Sequence, residues 1–434
     1  MIWLQLGLFF IGIHQLFYWV YIWQLKEYRF DRWWDWLKSE NGWWWKQFNI
    51  LKWYRPKMTI RALLTISIGL VFVWWEWKYW WLTAFIFSGF LVEIWAPLFD
   101  WQKRRIISRA KLKIKQCKGV VIGITGSFGK TTTKDMLAEV LSKKYKVVST
   151  PKNINTEIGV AQTVLEWPND FEIAVVEMGA YKIGEIGAIC EIVKPKYGII
   201  TGLGDQHLSL FGSLENIKKA KYELINSLPK SGKGWVIDKD FSLSDVNHIK
   251  EYRDGVSFNY KKKVVCLPLL GRKLITNAIV VIKVAGELGM SDDEILLRLK
   301  NLNTNNYWPK KIEVNSDLSI IDNTYNASLN SFLSLLDYMR VWKGYNKILV
   351  TPGMIELGNN GKKDHEEIGR RLKWVDLVLL TKKKYFKEMN VNGNVKVVRL
   401  GNLLSEIKKH INGKTLVVFK SRIPNFIIDK IKNG

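Results

Sequence analysis

The chain has 434 residues, enough for two or three domains with separate cores, and 47% of them are hydrophobic. With 66 Lys and Arg against 40 Asp and Glu the formal net charge is +26, which calls for anionic partners or substrates. Cys117, Cys190 and Cys266 are odd in number and widely spaced, with no CxxC pair, which argues against a disulfide framework and a zinc ribbon.

Residues 2–23 (IWLQLGLFFIGIHQLFYWVYIW) carry no Asp, Glu, Lys or Arg, and a run of about 20 apolar residues is enough for one spanning helix. A cleaved signal peptide is not expected, because there is no basic n-region and no small-residue cleavage site. Two more apolar runs, 59–75 and 80–99, are separated by the short EWKY and read as a helical hairpin, with a re-entrant or interfacial pair as the alternative. Seventeen of the 22 tryptophans fall in positions 1–101, as at a bilayer interface. The basic segment 24–58 puts the first loop and everything after residue 100 on the cytoplasmic side. The run WQKRRIISRAKLKIKQCK (101–118), with eight Lys or Arg and no acid, reads as a stretch resting on anionic headgroups or as a solvated linker. The expectation is a multi-pass membrane region over 1–105 with about three transmembrane helices and membrane lipids as partners. Nucleic acid is not expected, since the basic residues lack interleaved stacking aromatics.

From 119 onward short β-branched runs (VVIGIT, KVVST, EIAVVEM, YGIITGL, GWVID) alternate with helix-period stretches, the pattern of βαβ units around a buried parallel sheet. After a helical stretch at 276–302 and the polar NLNTNNYWPKK, a second series begins with LSIID, KILVTPG, VDLVLL, VKVVRL and TLVVFK. The fold class expected is α/β: a P-loop central domain with a mostly parallel sheet (106–305), then a Rossmann-like α/β C-terminal domain (306–434).

VIGITGSFGKTTTKDM (121–136) joins a strand to a helix through a glycine turn. N–H groups of such a turn and the positive helix terminus cradle polyphosphate; Lys130 adds a point charge and Thr131 a hydroxyl for Mg²⁺. Gly126, Ser127, Gly129, Lys130, Thr131 and Thr132 are therefore the candidate nucleotide contacts, although Ile124 stands where the general pattern has its first glycine. Glu177 ends a predicted strand, where a carboxylate beside the cradle would hold Mg²⁺, or would be a plain surface acid.

Further motifs follow in order: KNINTEIGV (152–160), VVEMGA (175–180), DQHLSLFGSLENIKKAKYEL (205–224), GRKLITNA (271–278), IDNTYNAS (321–328), GMIELG (353–358) with His365 after it, and FKSR (419–422). With the glycine turn they make the chain, over roughly 119–434, resemble the Mur ligase family of ATP-dependent amide-forming enzymes, most of all the branch that adds D-alanyl-D-alanine. The resemblance implies Lys130, Glu177, His207 and Lys221 as catalytic residues. It implies a metal site of Thr131, Glu177, His207 and Lys221, the lysine as a carbamate. Asn277, Lys310 or Lys311, and Asp322 would contact ATP, while Asn155, Thr156, Tyr325 and Asn326 would contact substrate. ATP and Mg²⁺ are the implied cofactors, and a muramoyl peptide, UDP- or lipid-linked, with D-Ala-D-Ala the implied substrates. A ligase acting on another carboxylate, or an ATP-driven transporter or motor, are the alternatives. Departures are Ser328-Leu329 for the usual Asn-Pro, Lys273-Leu274 for His-Asn, and Ser421 where glycine is common. The family's UDP-sugar-binding N-terminal domain has no counterpart in the sequence.

Overall fold

A computed structural model describes residues 2–25, 59–75, 80–152, 154–204, 211–240, 246–324, 329–354 and 361–432. The chain divides into two compact units, Met1–Ile106 and Ile107–Gly434.

The first unit holds α1 (Ile2–Leu25), α2 (Ile60–Trp75) and the start of α3 (Trp80–Gln116). Leu16 and Val20 of α1 pack on Ala62 and Ile66 of α2, each pair four residues apart and so on one helical face. Among the described residues no helix is long and apolar enough to cross a membrane, which overturns the expectation of a multi-pass membrane protein. The physical reason lies in the sequence of each helix. At 16 residues α2 is short of a span. α1 is interrupted by Gln5, His14, Gln15 and Gln24, and the apolar start of α3 runs directly into its basic half. With the spans goes the reason for expecting lipid partners and for reading orientation from loop charge. The Trp-rich loop at 26–58 lies outside the described residues.

In the second unit all five runs of the first series are strands: β1 (Val120–Thr125), β2 (Val147–Ser149), β3 (Ile173–Glu177), β4 (Tyr197–Ile200) and β5 (Lys233–Val236). They form a parallel sheet in the order β2-β3-β1-β4-β5. Central β1 is buried along nearly its whole length and apolar up to Thr125, because both its faces are covered. Helices α4 (Lys130–Leu141), α5 (Glu157–Glu166), α6 (Glu185–Val193) and α7 (Leu214–Asn226) connect the strands. A three-stranded antiparallel sheet follows, β6 (Asn247–Tyr252), β7 (Gly255–Tyr260) and β8 (Lys263–Leu267). The single helix expected at 276–302 is two, α8 (Leu274–Glu287) and α9 (Asp292–Lys300). The break falls at Gly289, with φ +85°, and a Ser291–Glu294 capping box starts the second.

The second series makes a six-stranded sheet in the order β13-β12-β11-β14-β10-β9. Its strands are β9 (Lys310–Glu313), β10 (Leu318–Asn323), β11 (Asn346–Thr351), β12 (Leu377–Leu380), β13 (Val395–Val397) and β14 (Thr415–Lys420). Edge strand β9 is antiparallel to β10 and the rest are parallel. Leu416 and Val418 of β14 face the core under α10 (Leu329–Met339) and α11 (Gly361–Arg371), whereas Val417 and Phe419 face the one under α12 (Leu400–Lys409) and α13 (Asn425–Lys432). That period of two, buried on both sides, is why TLVVFK reads as one unbroken apolar run.

Candidate active site

The glycine turn sits at the end of β1. Gly126 has φ +143°, and a Cβ on it would lie 2.1 Å from the Thr201 Oγ1; Gly129 has φ +79°. Only glycine meets both demands without strain. The Lys130 ammonium closes the turn by donating to the Gly126 carbonyl at 2.8 Å. Burial presses its pKa below the usual lysine range, against the opposing pull of Glu177. The Ser127 and Phe128 N–H groups donate to the Gly202 carbonyl at 2.9 and 3.1 Å, so the first turn of α4, whose N–H groups lack intrahelical partners, is the part of the cradle left for an anion.

Register brings the acid to this turn. β3 lies beside β1 with Ile124 opposite Glu177, and the carboxylate is 2% exposed. Its Oε2 accepts from the Thr131 hydroxyl at 2.8 Å and its Oε1 from the Asn155 amide at 3.1 Å. The Glu177 N–H donates to Thr150 Oγ1 at 2.9 Å, so Glu177 is no surface acid. A hydroxyl and a carboxylate are the hard oxygen donors that Mg²⁺ takes, and these two fit such an ion. Among the described residues no three His, Cys, Asp or Glu converge on a metal position; His207 lies outside the described residues, as do Tyr325 and Asn326.

Lys221 on α7 is 3% exposed. Burial first, then the charge of Lys130, lowers its pKa to about 7, against Glu185 and Glu223. Its ammonium lies 5.9 Å from the centre of the Phe211 ring. At neutral pH a large fraction is the free amine, the form that reacts with CO₂. Glu223, two residues on, takes N–H bonds from Gly184 and Gly187 at 2.6 and 2.9 Å and so ties α7 to the start of α6.

The other predicted contacts divide. Asn277 of α8 reaches the turn, donating to Thr133 Oγ1 at 2.9 Å and the Gly129 carbonyl at 3.4 Å. Thr156 is exposed and stands at the N-cap of α5 with no capping bond from its side chain. Asp322 accepts from the Thr324 N–H at 3.0 Å and hydroxyl at 2.7 Å, a local turn. Lys311 is turned to Asp254 and, at 2.7 Å, to Glu313. Its neighbour Lys310, on the opposite face of β9, lies 4.2 Å from the centre of the Trp308 ring, where Lys152 also sits at 5.3 Å. Thr150, Gly202 and Lys134, which donates to the Thr150 carbonyl at 2.6 Å, were not singled out from the sequence. Gly202 acts through its carbonyl, while Thr150 and Lys134 act through a hydroxyl and an ammonium whose partners are distant in sequence, so no local pattern marks them.

A parallel α/β sheet with a glycine turn at its central strand and a buried carboxylate on the neighbouring strand defines a P-loop nucleotide-type protein. Comparison with known proteins agrees with the resemblance read from the motifs: residues 124–245 match the Mur ligase middle domain. The chain is 34% identical over 284 residues to the UDP-N-acetylmuramoyl-tripeptide–D-alanyl-D-alanine ligase of Bacillus subtilis, covering 60% of this chain and 62% of that protein. It is 28% identical over 341 residues to the ligase of the same name from Buchnera aphidicola, covering 72% and 71%. The chain spans 62% of the Bacillus subtilis ligase and 60% and 63% of the ligases of the same name from Synechocystis sp. and Escherichia coli. Among solved structures it superposes on MurF ligase from Thermotoga maritima in complex with ADP, with TM-score 0.68 and 25% identity over 76% of this chain and 83% of that one. The fold is also that of MurF from Acinetobacter baumannii, with TM-score 0.69, 24% identity and coverage of 76% and 81%.

Proposed function

We propose that the chain is an ATP- and Mg²⁺-dependent amide-forming ligase of peptidoglycan precursor synthesis that joins D-alanyl-D-alanine to a muramoyl peptide. The observation that carries this reading is the buried Glu177 carboxylate held on Thr131 at the mouth of the glycine turn. The similar ligases act on a UDP-linked tripeptide by name, and the UDP-linked acceptor is the first choice here. The lipid-linked acceptor and the transporter rested on membrane spans, and lose that support.

In this reading residues 106–305 form the ATP-binding part and 306–434 the C-terminal part. The acceptor carboxylate attacks the γ-phosphorus and ADP leaves; the incoming amine then attacks the acyl carbon and phosphate leaves, forming the amide. Lys130 and the first turn of α4 neutralise charge that builds on the phosphate oxygens. Thr131 and Glu177 would hold Mg²⁺, which would supply positive charge to the polyphosphate, and Asn155 orients the Glu177 carboxylate for that task. Lys221, once carbamylated, would present an anionic oxygen where its ammonium cannot ligate. His207 would complete the site. Lys310 takes the place at the junction that the resemblance gave to Lys310 or Lys311, because Lys311 is engaged elsewhere. Asn277 and Asp322 would hold the nucleoside, and Thr156, Tyr325 and Asn326 the peptide side.

The deciding experiment incubates the protein with ATP, Mg²⁺, UDP-linked muramoyl tripeptide and D-Ala-D-Ala. Phosphate release that needs both substrates, with an amide product in stoichiometric amount, is expected. ATP turnover indifferent to both substrates rejects the ligase reading.

A further inference from the structure

The β6–β7 hairpin, which no sequence motif marked, reaches from the nucleotide-side sheet to the second sheet. Beside its turn Glu251 takes the Arg272 N–H at 3.1 Å and the Arg272 Nε at 2.7 Å, fixing it to the start of the helix that carries Asn277. Its turn is two residues, Arg253 and Asp254, closed by Gly255, where a Cβ would lie 2.1 Å from the Leu267 carbonyl oxygen. Both turn residues are spent on the far side. The Arg253 guanidinium lies 5.5 and 5.4 Å from the ring centres of Trp342 and Tyr345 and donates to the Tyr345 hydroxyl at 2.9 Å. Its carbonyl accepts from the Tyr338 hydroxyl at 2.8 Å. Asp254 takes the Lys311 ammonium. Lys311 is one residue from Lys310, which stands opposite Asp322 in the β9–β10 register.

We propose that this hairpin is a strut that sets the spacing of the two sheets, with Arg253 and Asp254 as positioning residues for ATP use. The inference rests on the reading of the junction between the sheets as the nucleotide site. Within four residues around its turn the strut joins the start of the Asn277 helix, through Glu251, to the strand that carries Lys310, through Asp254, the two walls assigned to the nucleotide. Exposed turn residues placed only for solubility would not meet three buried or half-buried aromatics and a lysine on another sheet. The cation–aromatic contacts supply distance and the ion pair supplies register.

The test places spectroscopic labels on the exposed Cys266 and on Gly401→Cys, a site with open space around it, in a Cys117→Ser background. Arg253→Ala and Asp254→Ala are expected to broaden the label-to-label distance distribution and to raise the KM for ATP about tenfold while kcat changes less than threefold. Arg253→Lys and Asp254→Glu should recover most of both effects, and Asp254→Lys combined with Lys311→Asp should restore the narrow distribution that each alone loses. Distances and KM both unchanged in the alanine variants overturn the strut; distances that broaden with KM unchanged reduce it to a structural tie and overturn the positioning role. If the parent protein turns over no ATP yet the distances respond, the nucleotide reading fails and the strut stands.

Discussion

Two lysines show how burial turns an ordinary side chain into a reactive or costly one. Lys221 and Lys420, the latter wholly buried and donating to Ser331 at 2.7 Å, both have pKa values lowered to about 7, chiefly by burial. The folded protein therefore binds these protons less tightly than the unfolded chain, so their contribution is present above the ordinary value of 10.5 and is lost as pH falls towards 7. Stability should rise between pH 7 and 9, and Lys420→Met should flatten that rise in thermal unfolding; an unaltered slope would contradict it. For Lys221 the chemical consequence matters more: Lys221→Ala should be inactive and be partly rescued by short-chain carboxylic acids, and a fully active variant would remove the carbamate. Ser421 supplies a third case. It sits at φ +66°, fully buried, and its hydroxyl has no hydrogen-bond partner among the described residues, a position that suits glycine, the residue the resemblance led one to expect there. Ser421→Gly should stabilise the fold by about 1 kcal/mol in denaturant titration; destabilisation would show that the hydroxyl matters. The identity of Lys221 and Glu177 was legible in the motifs, but their burial and charge neighbours were not, since those arise from strands and helices distant in sequence.

Among the elements, legibility followed apolar periodicity. All ten β-branched runs are strands, because parallel strands buried on both faces leave a continuous apolar signature. β6 escaped notice because it reads NHIKEY, mostly exposed, with no apolar run to find, and the short VVCL run of β8, only half buried, was not read as a strand without it. The same limit hid the strut. The glycine turn was legible for the opposite reason, its demands being local. Gly126→Ala should cost more than about 2 kcal/mol and abolish nucleotide binding, because the added methyl meets Thr201 and the φ is forbidden to it. Calorimetric titration with ATP that gives parent-like affinity would refute this. Lys310 and Lys311 illustrate a choice the sequence left open: strand alternation places them on opposite faces, and the strut claims Lys311.

For the whole molecule, the composition misled in one respect. Tryptophan density and apolar length argued for spans, yet Gln, His and basic residues within the same helices keep every described one from crossing a bilayer. The second unit carries the entire glycine-turn site. Its first helical turns are pinned within that unit by Ala110 and Ile114, which are buried, and by Lys113, which donates to the Leu165 carbonyl at 2.9 Å. A chain beginning at Ile107 should therefore fold and bind ATP as the full chain does; loss of ATP binding in a folded variant would show that the first unit is needed for it. The strand order of the second sheet has a consequence for how the protein is made. β14 follows β10 and β11 in the chain yet lies between them, so until it leaves the ribosome those two earlier strands wait with bare edges and nothing between them. A premature stop after Gly413 would leave two sticky half-sheets in place of one, and the product would aggregate rather than merely lose activity.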